Sequence, residues 1–239
     1  MFALSFLLYF VVMQNKDKLK KALKKYKKEN YHVRSWLEYE KELRSLIKKI
    51  TDYVNTNNVV IDAVVPILRG GNIPATYLAY LFDVLPILPV QYKYFFMKDK
   101  CQLRRLHGIK RSMIFKTNPT FLLVEGNHCY GNQARHAAAD IRKEFPKCTI
   151  NNGASNMDYN YQDVVKDADV CFYGRITNDC KELSVTECKE MGIEYERELL
   201  FPWENVAEEW EIVEIKQHPY KNLKDIMKNS TLVQEFDLG

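Results

Sequence analysis

Val64-Val65-Pro66-Ile67-Leu68-Arg69-Gly70-Gly71-Asn72-Ile73-Pro74-Ala75 is an apolar, strand-like run that stops at an arginine and two glycines and then opens a helical pattern. About fifty residues on, Phe121-Leu122-Leu123-Val124-Glu125-Gly126-Asn127-His128-Cys129-Tyr130-Gly131-Asn132-Gln133-Ala134 repeats the plan with a longer polar turn. A strand with no polar alternation is one buried on both faces, as in a parallel sheet covered by helices. The turns that follow such strands are where an open α/β sheet receives a phosphorylated ligand.

The rest of the chain extends the alternation. Ser35 and Glu38 form a capping-box pattern, followed by an apolar stripe of Trp36, Leu37, Leu43, Leu46, Ile47 and Ile50, which predicts a helix to about Val54. Strands are predicted over 59–67, 85–96, 121–124, 147–152 and 170–176, and helices over 73–82 and 131–145. The polar, basic stretch 97–118 reads as a mobile flap or a helical excursion. The expected fold is α/β: an open parallel sheet flanked by helices, Rossmann-like, with an N-terminal helical extension.

With 239 residues and 46% hydrophobic content, the chain can bury one sizeable core. The division expected is an N-terminal extension over 1–30, a main domain over 31–215 and a tail over 216–239. The net charge of +4 owes much to residues 16–28, which hold eight lysines and one acid. Without that run the chain is close to neutral or acidic, so composition gives no support to a nucleic-acid-binding surface. Six cysteines lie far apart, with neither a CxxC pair nor zinc-type spacing, which favours reduced thiols and a cytoplasmic setting.

Residues 1–13 (MFALSFLLYFVVM) are continuously apolar but too short to span a bilayer comfortably. Followed by the lysines, they allow a weak membrane-surface anchor through residues 1–28. A start at Met13, or packing of the run on the domain, is the plainer alternative.

The chemistry centres on the two turns. Gly70 and Gly71 let the backbone approach a ligand closely, and Arg69 sets a guanidinium beside those amides, a combination suited to diphosphate oxygens. Glu125 stands at the carboxyl end of its strand, and residues 127–131 can form a loop of backbone donors at the start of the next helix. Asn132 and Gln133 open that helix. His107, His128 and His136 carry no catalytic assignment, although His128 lies within the turn. In each case a tight strand–helix connection with no ligand explains the residues equally well.

From Ser35-Trp36 to Trp203-Glu204 the sequence resembles the type I phosphoribosyltransferases, in particular their purine (xanthine/hypoxanthine-like) branch. The resemblance rests on Ser35-Trp36 with its acidic helix, on Leu68-Arg69-Gly70-Gly71 with Ile73-Pro74-Ala75, on the strand leading to Glu125, and on Phe201-Pro202-Trp203-Glu204. It implies transfer of ribose 5-phosphate from phosphoribosyl diphosphate (PRPP) to a nucleobase, with Mg2+, release of diphosphate and, in some members, homodimers. Arg69 and Gly70 match the diphosphate loop. Glu125 matches the first of two acids that hold the ribose hydroxyls and is the catalytic candidate. Gly131 matches the 5′-phosphate loop. Trp203 matches the base-stacking position, with a core tryptophan as the equal alternative.

The sequence departs from that pattern at several positions. The second acid is Gly126, the position that often bears a carboxylate near the base is Cys129, and the hydroxyl residues of the phosphate loop are Tyr130 and Gln133. Each charge-assisted hydrogen bond lost with a ribose-binding carboxylate is worth about 1.5–3 kcal/mol. Three functions are therefore carried forward. One is a divergent phosphoribosyltransferase acting on a purine-type base. Another is a catalytically impaired nucleotide- or phosphate-binding or regulatory protein on the same fold. The third is an interaction protein recruited to a membrane or polyanion by residues 1–28.

Overall fold

The computed structural model describes residues 31–204, apart from 84, 98–99, 179–182 and 194–197, together with 231–233. The lysine-rich segment 16–30, the apolar run 1–13 and nearly all of the tail 216–239 lie outside the described residues. Among the described residues no helix is long and apolar enough to cross a membrane.

Strand β1 (Tyr31–Val33) leads into helix α1 (Trp36–Asn57), whose start is the expected capping box. The Glu38 amide donates to Ser35 Oγ at 3.2 Å and the Ser35 amide donates to the Glu38 carboxylate at 2.7 Å. Asn58, in the left-handed region at φ 50°, ends the helix, and the Val59 amide returns to the Val54 carbonyl. That return consumes Val59, so β2 begins later than its apolar run, at Ala63–Leu68. Helix α2 (Asn72–Leu81), the hairpin β3 (Val90–Met97) and β4 (Lys100–His107), β5 (Thr120–His128), α3 (Asn132–Glu144), β6 (Thr149–Asp158) and β7 (Val170–Thr177) follow. Short α4 (Val185–Glu190), β8 (Glu198–Leu200) and β9 (Thr231–Val233) complete the order.

The main sheet runs β7-β6-β5-β2-β3-β4-β9, parallel throughout except for the antiparallel β3–β4 pair. Within the stretch expected to be a flap or helical excursion, residues 100–107 instead form a hairpin strand held between β3 and β9, and residues 111–113 form one short 3₁₀ turn. One completely buried residue, Leu103, anchors β4, and Arg105 reaches Asp140 on α3 at 3.0 Å. Leu103 and Leu106 are three residues apart among Arg104, Arg105 and Lys100, a spacing that gives no strand period to read.

Two other strands outrun their apolar cores. β5 continues through Glu125, Gly126, Asn127 and His128 because Asn127 and His128 pair with Asn156 and Met157 on β6. β6 likewise continues to Asp158 against β7. Polar residues can extend a buried strand when neighbouring side chains satisfy them, and Asn156 does this by donating to Asn127 Oδ1 at 2.9 Å and Thr177 Oγ1 at 3.2 Å.

Helices cover both faces. On one, Leu46 and Ile50 of α1 and Ala75 and Leu78 of α2 pack on Val64, Leu122 and Val124. On the other, Ala134, Ala137, Ala138 and Ile141 of α3 pack on Val65, Phe121, Leu123 and Ile150. Burying each large aliphatic side chain contributes about 1.5–3 kcal/mol. Leu46→Ala, at a site with no exposure, removes one such contribution and leaves a cavity, at a cost of about 2–5 kcal/mol. A separate parallel pair, β1–β8, brings residues 31–33 beside 198–200 at the end of α1.

Candidate functional site

Both turns singled out in the sequence lie at the carboxyl ends of adjacent parallel strands, since Pro66 of β2 pairs with Val124 of β5. Arg69 is exposed, Gly70 is partly buried and Gly71, buried, caps α2. The Leu68–Arg69 peptide bond is cis. The first turn folds directly onto β5: a Cβ on Gly126 would stand 2.9 Å from the Gly70 carbonyl oxygen and 3.0 Å from its Cα. The space where a side chain at position 126 would start is therefore filled by the backbone of the neighbouring turn.

Glu125 is 8% exposed, and its carboxylate lies 3.6 Å from Nδ1 of His128, which has no exposure at all. Burial pushes the Glu125 carboxyl up to about 8. Burial also pulls the His128 imidazole down to about 4, with partial compensation from a backbone group of Tyr161. Both groups are uncharged near neutrality, and the pair is a buried neutral contact rather than an ion pair. The His128 ring stands edge-on to Tyr173, centroids 5.8 Å apart, and Tyr173 donates from its hydroxyl to the Gln162 carbonyl at 2.6 Å.

Because β5 runs to His128, the turn before α3 is short: Cys129, Tyr130 and Gly131. Cys129 and Tyr130 are half-buried, and Tyr130 packs edge-on against Tyr161 at 5.2 Å. Gly131, buried, caps α3 at φ 63° with no capping side-chain bond. A Cβ there would collide with the His128 ring and Val164, so glycine is required on two counts. Asn132 is buried and accepts from the Arg135 guanidinium at 2.9 Å, while Gln133 is partly exposed. The structure thus brings together residues 69–71 and 125–133.

Trp203 lies elsewhere, in an aromatic cluster against α1. It stacks on Phe201 at 4.8 Å with ring planes 4° apart, meets Tyr39 edge-on at 4.8 Å, and lies 5.9 Å from Trp36. One face of its indole is covered by Phe201, and the residue remains partly exposed.

Sequence reasoning missed a buried polar network beneath the strand ends. Arg34 (1% exposed) pairs with Glu42 (5%), Glu42 also accepts from Arg175 at 3.1 Å, and Arg34 donates to Asn156 at 3.4 Å. The one readable signal was Glu42 itself, a carboxylate on the buried stripe Tyr39, Leu46, Ile50 of α1.

Among the described residues no group of three or more His, Cys, Asp or Glu is arranged to hold a metal ion. Magnesium binds through hard, ionised oxygens. At the end of β5 the one carboxyl, Glu125, is buried and neutral, and Gly126 supplies none. These residues do not fit a magnesium ion. The described cysteines Cys129, Cys148, Cys171 and Cys188 form no disulfide.

No family model and no curated protein matches this sequence. Solved structures do. The chain is similar to a purine phosphoribosyltransferase from Pyrococcus horikoshii Ot3, at 16% identity and a TM-score of 0.51, over 74% of this chain and 95% of that one. It is also similar to a hypothetical protein from Neisseria gonorrhoeae with bound ppGpp, at 14% identity and a TM-score of 0.54, over 77% of this chain and 95% of that one. At these identities the likeness is one of fold.

Proposed function

We propose that this chain, which has the type I phosphoribosyltransferase fold, is a nucleotide- or phosphate-binding protein in which ribosyl transfer is impaired. The observation that carries this reading is the contact between Gly126 and Gly70. A second ribose-binding carboxylate is absent, and the backbone of the first turn occupies its place. Glu125 supports the same reading, because an uncharged, buried carboxyl offers a ribose little charge-assisted bonding. Transfer from PRPP passes through a cation-like ribose, which needs preorganised negative charge that this strand end lacks.

What remains suits an anion. Arg69 is exposed at the first turn, and the second turn ends at a glycine-capped helix N-terminus, a natural seat for a phosphate. The likeness to a structure that holds ppGpp agrees with a phosphate-bearing nucleotide on this scaffold. Residues 69–71, 127–133 and, for a base, Trp203 are the proposed contacts. A purine-type nucleotide is the ligand proposed, in a cytoplasmic protein.

Calorimetric titration with PRPP and a series of nucleoside 5′-monophosphates, with and without Mg2+, tests this. Binding of a nucleotide that is insensitive to Mg2+ is expected, with no diphosphate release from PRPP and a panel of nucleobases. Diphosphate release above that of a Glu125→Gln control overturns the reading in favour of an active transferase.

A further inference from the structure

The amino end of the sheet, opposite the two turns, displays apolar side chains among cations. Asp62 leads into β2 and Thr120 opens β5, and the Thr120 amide donates to the Asp62 carboxylate at 2.7 Å. The loop 110–118 crosses this end just before Thr120. In it Phe115 is 97% exposed and Met113 is exposed, while Val60, two residues before Asp62, is 69% exposed.

Scattered exposed apolar residues are ordinary, but here the fold holds them out. At one side the Arg111 amide donates to the Glu144 carboxylate at 3.3 Å, and the Arg111 guanidinium lies over the Phe145 ring at 4.8 Å. At the other, Lys116 Nζ donates to both oxygens of Asp62 at 2.9 Å. Between them Ile114, in extended backbone, packs against the core beside α3. Successive side chains of extended backbone point to opposite sides, so burial of Ile114 turns Met113 and Phe115 outward.

The surround is cationic. Lys110, Arg111 and Lys116 are exposed on the loop, and Lys143 and Lys147 are exposed on either side of the Glu144–Phe145 contact. The acids bonded to the loop, Asp62 and Glu144, are the ones that pin it. Apolar tips ringed by cations complement an anionic lipid surface: the tips enter the boundary between headgroups and acyl chains, and the cations meet the headgroups. Val60 and Met113 carry no ring to stack on a base, which favours lipid over a single-stranded nucleic acid.

The sequence points independently to the same partner. Residues 1–13 are apolar and eight lysines follow within 16–28, a combination suited to an anionic bilayer. One short anchor binds reversibly, and stable attachment takes a second contact. The seventeen residues 14–30 can span up to ~56 Å. Helix α1, with 22 residues, is only ~33 Å long, so both contacts can reach one surface.

We propose that loop 110–117, together with Val60, docks this protein on an anionic lipid bilayer, with Phe115 inserted and the five cations at the headgroups. β5 has nine residues, which sets the two turns ~30 Å from that surface, facing away from it.

The test is co-sedimentation of the full chain with vesicles of phosphatidylcholine, alone or with about 30% phosphatidylserine. Binding to the phosphatidylserine vesicles alone is expected, weakened by salt. Phe115→Ser should lower the partition coefficient about 10-fold at an unchanged melting temperature, since the side chain makes little contact in the folded chain. Lys143→Gln with Lys147→Gln should lower it about 10-fold as well. In wild type on vesicles, hydrogen exchange should slow at residues 113–117 and stay the same at 127–133. No binding to phosphatidylserine vesicles overturns the proposal. Binding that Phe115→Ser leaves unchanged, or that leaves exchange at 113–117 unchanged, assigns the contact to residues 1–28 and overturns it too. Retention on single-stranded DNA in place of vesicles overturns it in favour of a nucleic-acid contact.

Discussion

The Gly70 carbonyl oxygen lies 2.9 Å from the point where a Cβ on Gly126 would stand. Real Cβ atoms do not come this close to backbone, so any side chain at 126 must push the two turns apart. Gly126→Asp, the change that restores the acid pair of the transferase pattern, is therefore expected to destabilise the protein by about 1–3 kcal/mol. It should not create tight PRPP binding. Melting temperature and a PRPP titration check both halves. An unchanged melting temperature with tighter PRPP binding would show that the turn has room after all.

The Glu125–His128 contact predicts a pH dependence. Burial raises Glu125 from 4.5 to about 8, so above pH 4.5 the unfolded chain has lost a proton that the folded chain keeps, and stability falls with rising pH until about 8. Burial lowers His128 from 6.5 to about 4, so between those values the unfolded chain holds the extra proton and stability rises with pH until 6.5. The two oppose each other up to 6.5. From 6.5 to 8 Glu125 acts alone, and about 2 kcal/mol is lost. Glu125→Gln should flatten that upper limb in denaturant titrations at the two ends of the window. An equal fall in both proteins would assign the dependence to other groups.

The same residues mark how far the sequence could be read. Val64, Val65, Leu122 and Leu123 are completely buried between helices on both faces, and an unbroken apolar run predicts that directly. Ser35 and Glu38 predict the start of α1 because capping is local chemistry. What stayed hidden depends on distant partners. Asn127 and His128 look like turn residues until Asn156 and Met157 pair with them across the sheet. Leu103 lies in a basic stretch with no alternating pattern, and its partners on β3 and β9 make it a strand position. The candidate site was legible as two turns. That Gly70 fills the place beside Gly126 was not, because close approach of two backbones leaves no mark on residue types.

Glu42 joins two guanidiniums, those of Arg34 and Arg175, from a position 5% exposed. Removing one partner of a buried ionic contact leaves the other desolvated without its counter-charge. Glu42→Gln keeps the shape and should still cost about 3–5 kcal/mol. Because Arg34 also reaches Asn156, which ties β5 to β7 through Asn127 and Thr177, the loss should extend to the strand ends. Hydrogen exchange should then quicken at residues 156 and 177 before the core at Leu122 and Leu123. Uniform acceleration throughout would count against a local role for the network.

Trp203 separates a packing role from a base-stacking role. It touches Phe201, Tyr39 and Trp36, so its loss should open a gap beside α1 whether or not a ligand is present. Trp203→Ala is expected to cost about 3 kcal/mol of stability, at the lower end for a large aromatic because the residue is only partly buried. Trp203→Phe keeps a ring against Phe201 and should recover most of that. Base stacking would contribute about 1–3 kcal/mol to nucleotide affinity. If Trp203 serves a base, Trp203→Phe should therefore bind a purine nucleotide almost as well as wild type, and inorganic phosphate should bind all folded variants equally. Weakened phosphate binding in Trp203→Phe would mean that the aromatic cluster supports the turns indirectly rather than contacting a base.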